Sequence, residues 1–235
     1  MTNFVLVHGT GCGGWVWQKL APLLRAGGHE VYSPTLTGLA DRKHLLNESV
    51  NLTTHINDVS NLIFYEDLSS VILVGNSYAG MVITGVATRT PERLKLLVYL
   101  DAYLPDDGQS EADLLPAGML ASRKADAAEH GGFIQPPPPA IFGITDPELV
   151  NWVQARMTPH PLRTYTEPVH IGNAKSLAIP RFYIHCTGNP TTTPDLFLAS
   201  AKKARNHGWP VIELEAGHLA MLTHSHQLAE ILLKE

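Results

Sequence analysis

The most constraining stretch of this chain runs from Val71 to Gly80. The apolar run Val71-Ile72-Leu73-Val74 leads into Gly75-Asn76-Ser77-Tyr78-Ala79-Gly80, and a second apolar run starting at Met81 follows. A short continuous apolar run bounded by turn residues predicts a buried strand. Such strands are found in parallel sheets covered by helices. A serine with glycine two places before it and alanine two places after, at a strand–helix joint, sits on a turn too tight for neighbouring side chains. That turn lifts the Ser77 hydroxyl above the sheet edge. It also holds the hydroxyl at the N-terminus of the next helix, whose dipole favours negative charge.

The rest of the chain fits around this unit. Strands are predicted at Phe4–His8, Glu30–Thr35, Val71–Gly75, Leu94–Leu100, Arg181–Cys186 and Pro210–Leu214. Helices are predicted at Val16–Ala26, Asn51–Tyr65, Ala79–Thr88, Pro194–His207 and Leu219–Leu233. Strands alternating with helices of this length imply βαβ crossovers, hence an α/β fold with a mostly parallel sheet. Residues 105–178 break the rhythm with Gln135-Pro136-Pro137-Pro138-Pro139 and two helical patterns, Glu111–Glu129 and Asp146–Met157, with no convincing strand. Their apolar content, including Leu114, Leu115, Ile141, Leu149 and Val153, is too high for a disordered linker. This segment is expected to be a small helical cap between two parts of one core, residues 1–104 and 179–235. An insertion there covers the sheet edge where ligands bind in open α/β folds.

Composition narrows the class. A net charge of −5 without a Lys/Arg run argues against a nucleic-acid partner. No apolar stretch reaches the ~20 residues needed to span a bilayer, and the N-terminus reads directly into a strand rather than a signal peptide. Cys12 and Cys186 lie far apart and are expected to be reduced thiols of a cytoplasmic protein. The 12 histidines show no metal-binding spacing, so no metal site is expected. The chain is expected to be a monomer or homodimer.

A serine hydroxyl needs a base to become nucleophilic at neutral pH. His218 follows the last strand in Glu215-Ala216-Gly217-His218, which brings its imidazole to the same sheet edge. With Ser77 it keeps the order Ser…acid…His. Oxyanion donors are expected at the amides of Tyr78, next to the serine, and Thr10, in the glycine-rich loop 8–15. The acid is open among three positions. Asp101 ends the strand Leu97-Val98-Tyr99-Leu100 and is favoured. Asp195 looks like a helix cap, and neutral Asn189 stands in the loop after Cys186, which has no carboxylate before Asp195. Trp15, Tyr78, Tyr103, Phe142, Trp152 and Met157 are candidate pocket walls for a largely apolar small-molecule substrate.

With these residues in view, the chain resembles the α/β-hydrolase superfamily over its whole length. It is most similar to the branch of plant methyl-ester esterases, hydroxynitrile lyases and bacterial pyrethroid-hydrolysing carboxylesterases. The resemblance rests on Phe4-Val5-Leu6-Val7-His8-Gly9, Gly13-Gly14-Trp15 with Trp17, Gly75 with Ser77, Leu104-Pro105-Asp106, and Gly217-His218 followed by Ala220-Met221-Leu222. It implies a helical cap, no cofactor and carboxylic ester hydrolysis through an acyl-enzyme. Lyase members of the branch carry threonine after the first-strand histidine and lysine after the catalytic histidine. Gly9 and Leu219 occupy those positions here, which favours ester hydrolysis. The alternatives are C–C or thioester hydrolysis, lyase or cyclase chemistry at the same Ser/His site, and a non-catalytic small-molecule receptor.

Overall fold

The computed structural model describes residues 2–172, 174–188 and 195–235. Six strands form one parallel sheet: β1 Asn3–Val7, β2 Glu30–Tyr32, β3 Val71–Ser77, β4 Leu94–Ala102, β7 Arg181–Cys186 and β8 Val211–Leu214. Their order is β2-β1-β3-β4-β7-β8. The short strands β5 Phe133–Ile134 and β6 His160–Pro161 pair antiparallel on their own.

Side-chain alternation along each strand splits the core into two layers. Val5, Val7, Leu73, Leu97, Tyr99 and Tyr183 face one layer, packed with helices α2 Leu52–Tyr65, α3 Ala79–Arg89 and α9 Leu198–Asn206. Phe4, Leu6, Ile72, Val74, Val98, Phe182 and Ile184 face the other, packed with α1 Ala21–Ala26, α10 Ala220–Thr223 and α11 Ser225–Leu232. A sheet buried on both sides explains why its strands read as continuous apolar runs.

Local chemistry sets the helix ends. The Asn51 side chain accepts from the Thr54 amide at 2.9 Å, and Thr54 reciprocates as a capping box. The helix expected over Val16–Ala26 is a 3-10 turn at Gly14–Trp17 followed by α1, which carries Pro22 in its first turn. The helix expected over Leu219–Leu233 is interrupted at His224, which leaves helical geometry at φ −130°.

Residues 105–178 run between the adjacent strands β4 and β7. The pattern over Glu111–Glu129 forms two helices, α4 Glu111–Leu114 and α5 Met119–Glu129. Pro116 lies between them, and Leu115 before it is extended, as a residue preceding proline prefers. Then come α6 Pro147–Gln154, α7 Arg163–Thr166 and α8 Ala174–Ala178. The β5–β6 ladder is a correction to the expectation of a strandless segment. With two residues per strand, it is too short to leave a period-2 signal in sequence. Among the described residues, no helix is long and apolar enough to cross a membrane.

Candidate active site

Ser77 is the last residue of β3, and Tyr78 opens α3. The turn demands small neighbours. A Cβ on Gly75 would stand 2.7 Å from the Ala79 carbonyl oxygen, and one on Gly9 would stand 2.8 Å from the Ser77 Cβ. Ser77 itself holds φ at +60°, a conformation costing a non-glycine residue about 1–3 kcal/mol.

The neighbouring strand repeats the device. Asn76 pairs with Leu100 and Ser77 with Ala102, so Asp101 is the extra residue of a bulge, with φ +44°. Bulges re-aim side chains at sheet ends. Here the Asp101 carboxylate, 4% exposed as a residue, accepts from the Cys186 amide at 3.2 Å and lies 2.6 Å from His218 Nδ1. Tyr183 holds the bulge by donating its hydroxyl to the Ala102 carbonyl and accepting from the Ala102 amide.

His218 follows β8 through Gly217 and donates its amide to the Phe142 carbonyl at 3.0 Å. Its ring stacks on Phe197 at 4.8 Å and 4°, and on Phe142 at 5.7 Å and 25°. The buried Asn76 amide donates to the His218 and Leu100 carbonyls, tying that loop to the strand ends. With Nδ1–H donated to the Asp101 carboxylate, Nε2 is the nitrogen left to accept a proton.

Ser77, His218 and Asp101 line one cavity of about 250 Å³, together with Thr10, Tyr103 and Phe142. The core supplies one side, and Glu111, Met119, Arg123 and Tyr165 from the 105–178 segment supply the other. The chain matches the alpha/beta hydrolase family over residues 4–231.

The protein belongs to the α/β-hydrolase family.

Within that family it is 40% identical to a carbendazim hydrolyzing esterase of Nocardioides sp. (strain SG-4G), over 98% of each chain. It is 28% identical to methylesterase 10 of Arabidopsis thaliana, over 98% of this chain and 90% of the relative. An extracellular α/β-hydrolase from a Paenibacillus species superposes with a TM-score of 0.88 at 28% identity, over 100% of this chain and 98% of that one. That protein is described as sharing structural and functional homology with tobacco salicylic acid binding protein 2. The branch suggested by the sequence motifs is therefore the right one.

The glycine-rich loop after β1 reaches the cavity through Thr10. Buried neutral histidines brace this loop and the serine turn; His55 and His160 do not stand out in the sequence, and His8 does so only as part of the first-strand motif. His8 donates Nδ1–H to the Gly9 carbonyl and accepts the Leu36 amide on Nε2; burial lowers its pKa to about 4. His160 accepts the Gly11 amide on Nδ1, and burial lowers its pKa too. His55 donates Nε2–H to the Thr37 carbonyl and takes the Tyr78 hydroxyl on Nδ1, with its pKa likewise lowered by burial. No group of His, Cys, Asp and Glu side chains suited to a metal ion occurs among the described residues.

The remaining candidates divide. Asp195 also lines the cavity, but its carboxylate takes the His185 Nε2–H at 2.8 Å and the Phe197 and Leu198 amides at 3.0 and 2.9 Å. Asn189 lies outside the described residues. Of the expected walls, Tyr103 and Phe142 line the cavity. Trp15, Trp152 and Met157 do not. Trp15 packs edge-to-face on Trp152 at 5.1 Å, and Met157 joins the same hydrophobic layer. The Tyr78 ring is fully buried against His160 and Tyr165 behind the cavity. These side chains meet apolar neighbours that only the tertiary packing supplies. Glu111 and Phe197 reach the cavity without having stood out in the sequence.

Proposed function

We propose that the protein is a serine carboxylesterase acting on small to medium, largely apolar esters. Ser77 is the nucleophile, His218 the base and Asp101 the acid. The observation that carries this reading is the His218 imidazole. It is held by Asp101 on Nδ1 and stacked between two phenyl rings, on the cavity that the Ser77 turn also lines. His218 Nε2 takes the Ser77 proton as the hydroxyl attacks the ester carbonyl. The amides of Tyr78 and Thr10 stabilise the oxyanion, a contribution of about 3–4 kcal/mol per donor. The imidazolium, stabilised by the Asp101 carboxylate, then protonates the leaving alcohol, and water repeats the cycle on the acyl-enzyme.

Residues 105–178 act as the cap of this site and supply its apolar far wall through Met119, Ile141 and Phe142. Hydrolysis of esters by the similar carbendazim hydrolyzing esterase and methylesterase 10 supports the reaction class. Leu219, buried at 2% exposure, provides no cation beside the base, which supports hydrolysis over cyanohydrin cleavage.

The test compares Ser77→Ala, Asp101→Asn and Asn189→Ala on p-nitrophenyl butyrate. Wild type is expected to show a burst of nitrophenol and an acyl adduct on Ser77 by mass spectrometry. Ser77→Ala removes both. Asp101→Asn lowers kcat by about 10³–10⁴-fold through loss of the oriented tautomer, and Asn189→Ala leaves it within a few-fold. A near-wild-type Asp101→Asn overturns the acid assignment. A wild type with no adduct on any ester of a chain-length panel overturns the esterase reading.

A further inference from the structure

The cavity beside Ser77 contains one group that the esterase chemistry does not use. Glu111, the first residue of α4, lines the cavity yet is only 2% exposed. Its Oε2 is buried, and no group among the described residues hydrogen-bonds to it. A buried polar atom without a partner costs about 1–3 kcal/mol, and native structures leave few of them. Leucine there would fill similar space at no such cost. Oε2 itself is closed off; the part of Glu111 that stays accessible lines the space a substrate enters, so a group entering there meets this side chain.

Its surroundings define what that substrate carries. Arg123, from α5, lines the same cavity, acts on the Glu111 carboxyl through its charge, and lies over the Tyr165 ring at 5.7 Å. Tyr165 in turn donates its hydroxyl to Thr10 Oγ1 at 3.0 Å, linking this corner to the loop beside Ser77. Burial raises the Glu111 pKa to about 8, so the group is a neutral carboxylic acid at pH 7, offering one O–H donor and one carbonyl acceptor. A cationic substrate group would be repelled by Arg123 and would need an ionised partner. A neutral group with N–H and C=O on opposite sides, as in a secondary amide, gives Glu111 a donor and Arg123 an acceptor.

We propose that Glu111 and Arg123 form a specificity subsite of the Ser77 cavity for esters bearing a secondary amide or equivalent N–H/C=O pair away from the scissile bond. The subsite rests on the esterase reading for its link to turnover, though not for its binding chemistry. Glu111 takes the N–H and Arg123 the carbonyl.

The experiment uses p-nitrophenyl ω-acetamido esters with one to four methylenes, each paired with the ketone isostere in which N–H becomes CH₂. At the best-fitting length, wild-type kcat/KM for the amide is expected to exceed that for the ketone by about tenfold, the worth of one well-made buried hydrogen bond. Glu111→Leu collapses that ratio to within about twofold of unity, whereas Glu111→Gln, which keeps a donor and an acceptor, retains most of it. Calorimetric binding of the corresponding carboxamides to Ser77→Ala protein reads the same preference without turnover, and melting curves verify that each variant is folded. Equal handling of amide and ketone by wild type in both assays, or a ratio unchanged in Glu111→Leu, overturns the subsite. Preferential binding of the amide with no hydrolysis of any ester overturns the esterase reading and leaves the subsite standing.

Discussion

Glu111 also supplies a prediction that needs no substrate. Burial raises its pKa from 4.5 to about 8, against a smaller opposing influence of Arg123. Below about pH 4.5 the folded and unfolded chains both carry the proton, so the group adds no pH-dependent cost. As pH rises through that value the unfolded chain releases its proton and the folded chain keeps it. Stability then falls until the native carboxyl ionises at about 8. Each pH unit in that window is worth about 1.4 kcal/mol, so the full interval removes on the order of 4–5 kcal/mol. Glutamine has the shape of the protonated acid and does not titrate. Glu111→Gln is therefore expected to lie within about 1 kcal/mol of wild type at about pH 5, to gain on the order of 3 kcal/mol at pH 7, and 4–5 at pH 9. For a chain of this size the gain at alkaline pH corresponds to a Tm increase on the order of 10 °C. The assay is calorimetric unfolding of the two proteins in matched buffers across that range. Only the difference between them is read, so every other titrating group cancels. A difference that does not grow with pH refutes the reasoning, and a wild type more stable than the variant at pH 9 reverses it.

Two further outcomes follow from the framework around the serine. His8 has a folded-state pKa of about 4, below its unfolded value of 6.5, and His55 and His160 shift the same way. Their stability contribution is present above pH 6.5 and is lost as pH falls towards 4, on the order of 3 kcal/mol for His8 alone. In the Glu111→Gln background, which removes the opposing titration, Tm should drop steadily below pH 6.5; a flat profile down to about pH 4.5 contradicts the neutral-histidine framework. Gly9→Ala puts a Cβ 2.8 Å from the Ser77 Cβ and 3.3 Å from the Asn76 carbonyl oxygen. A displacement on the order of 1 Å at Ser77, the proposed nucleophile, should cost kcat about 10²-fold on p-nitrophenyl butyrate. Unchanged kcat would mean that the loop after β1 yields freely.

The parts of the molecule readable in sequence are those whose signal is local. The apolar run at 71–74, the small residues at 75 and 79, and Gly217-His218 after a short strand each carry their meaning within about ten residues of chain. The parts that were not readable depend on contacts distant in sequence. Trp15, Trp152 and Met157 have the composition of pocket walls, and only packing shows that they meet one another and the hydrophobic layer. Phe197 stacks on His218 from 21 residues away, yet in sequence it is one apolar residue at the start of a polar helix. Glu111 reads as an ordinary acidic first-turn residue beside the Ser110–Asp113 capping box; its burial comes with the packing of α4 against α7. The histidines are the sharpest case. Twelve of them carry no shared spacing, because His8, His55 and His160 each serve a different backbone or hydroxyl partner.

The position of the proposed acid follows from the same competition for partners. A carboxylate serving His218 from Asp195 would have to give up three hydrogen bonds: the His185 imidazole and the two amides that begin the turn into α9. Those amides include that of Phe197, whose ring lies parallel to the His218 imidazole. Moving Asp195 would therefore disturb the surface on which the His218 ring lies. Asp101 has no such conflict. Its bulge at the end of β4 is secured by Tyr183, one carboxylate oxygen is satisfied by the Cys186 amide, and the other is left for His218. Two of the non-glycine residues with positive φ, Ser77 and Asp101, thus sit at the ends of paired strands β3 and β4 and are braced by buried hydrogen bonds. Strain of this kind persists only where the surroundings over-determine it. With the proposed acid on β4, Asp195 is free to hold the aromatic ring against which the imidazole is aligned.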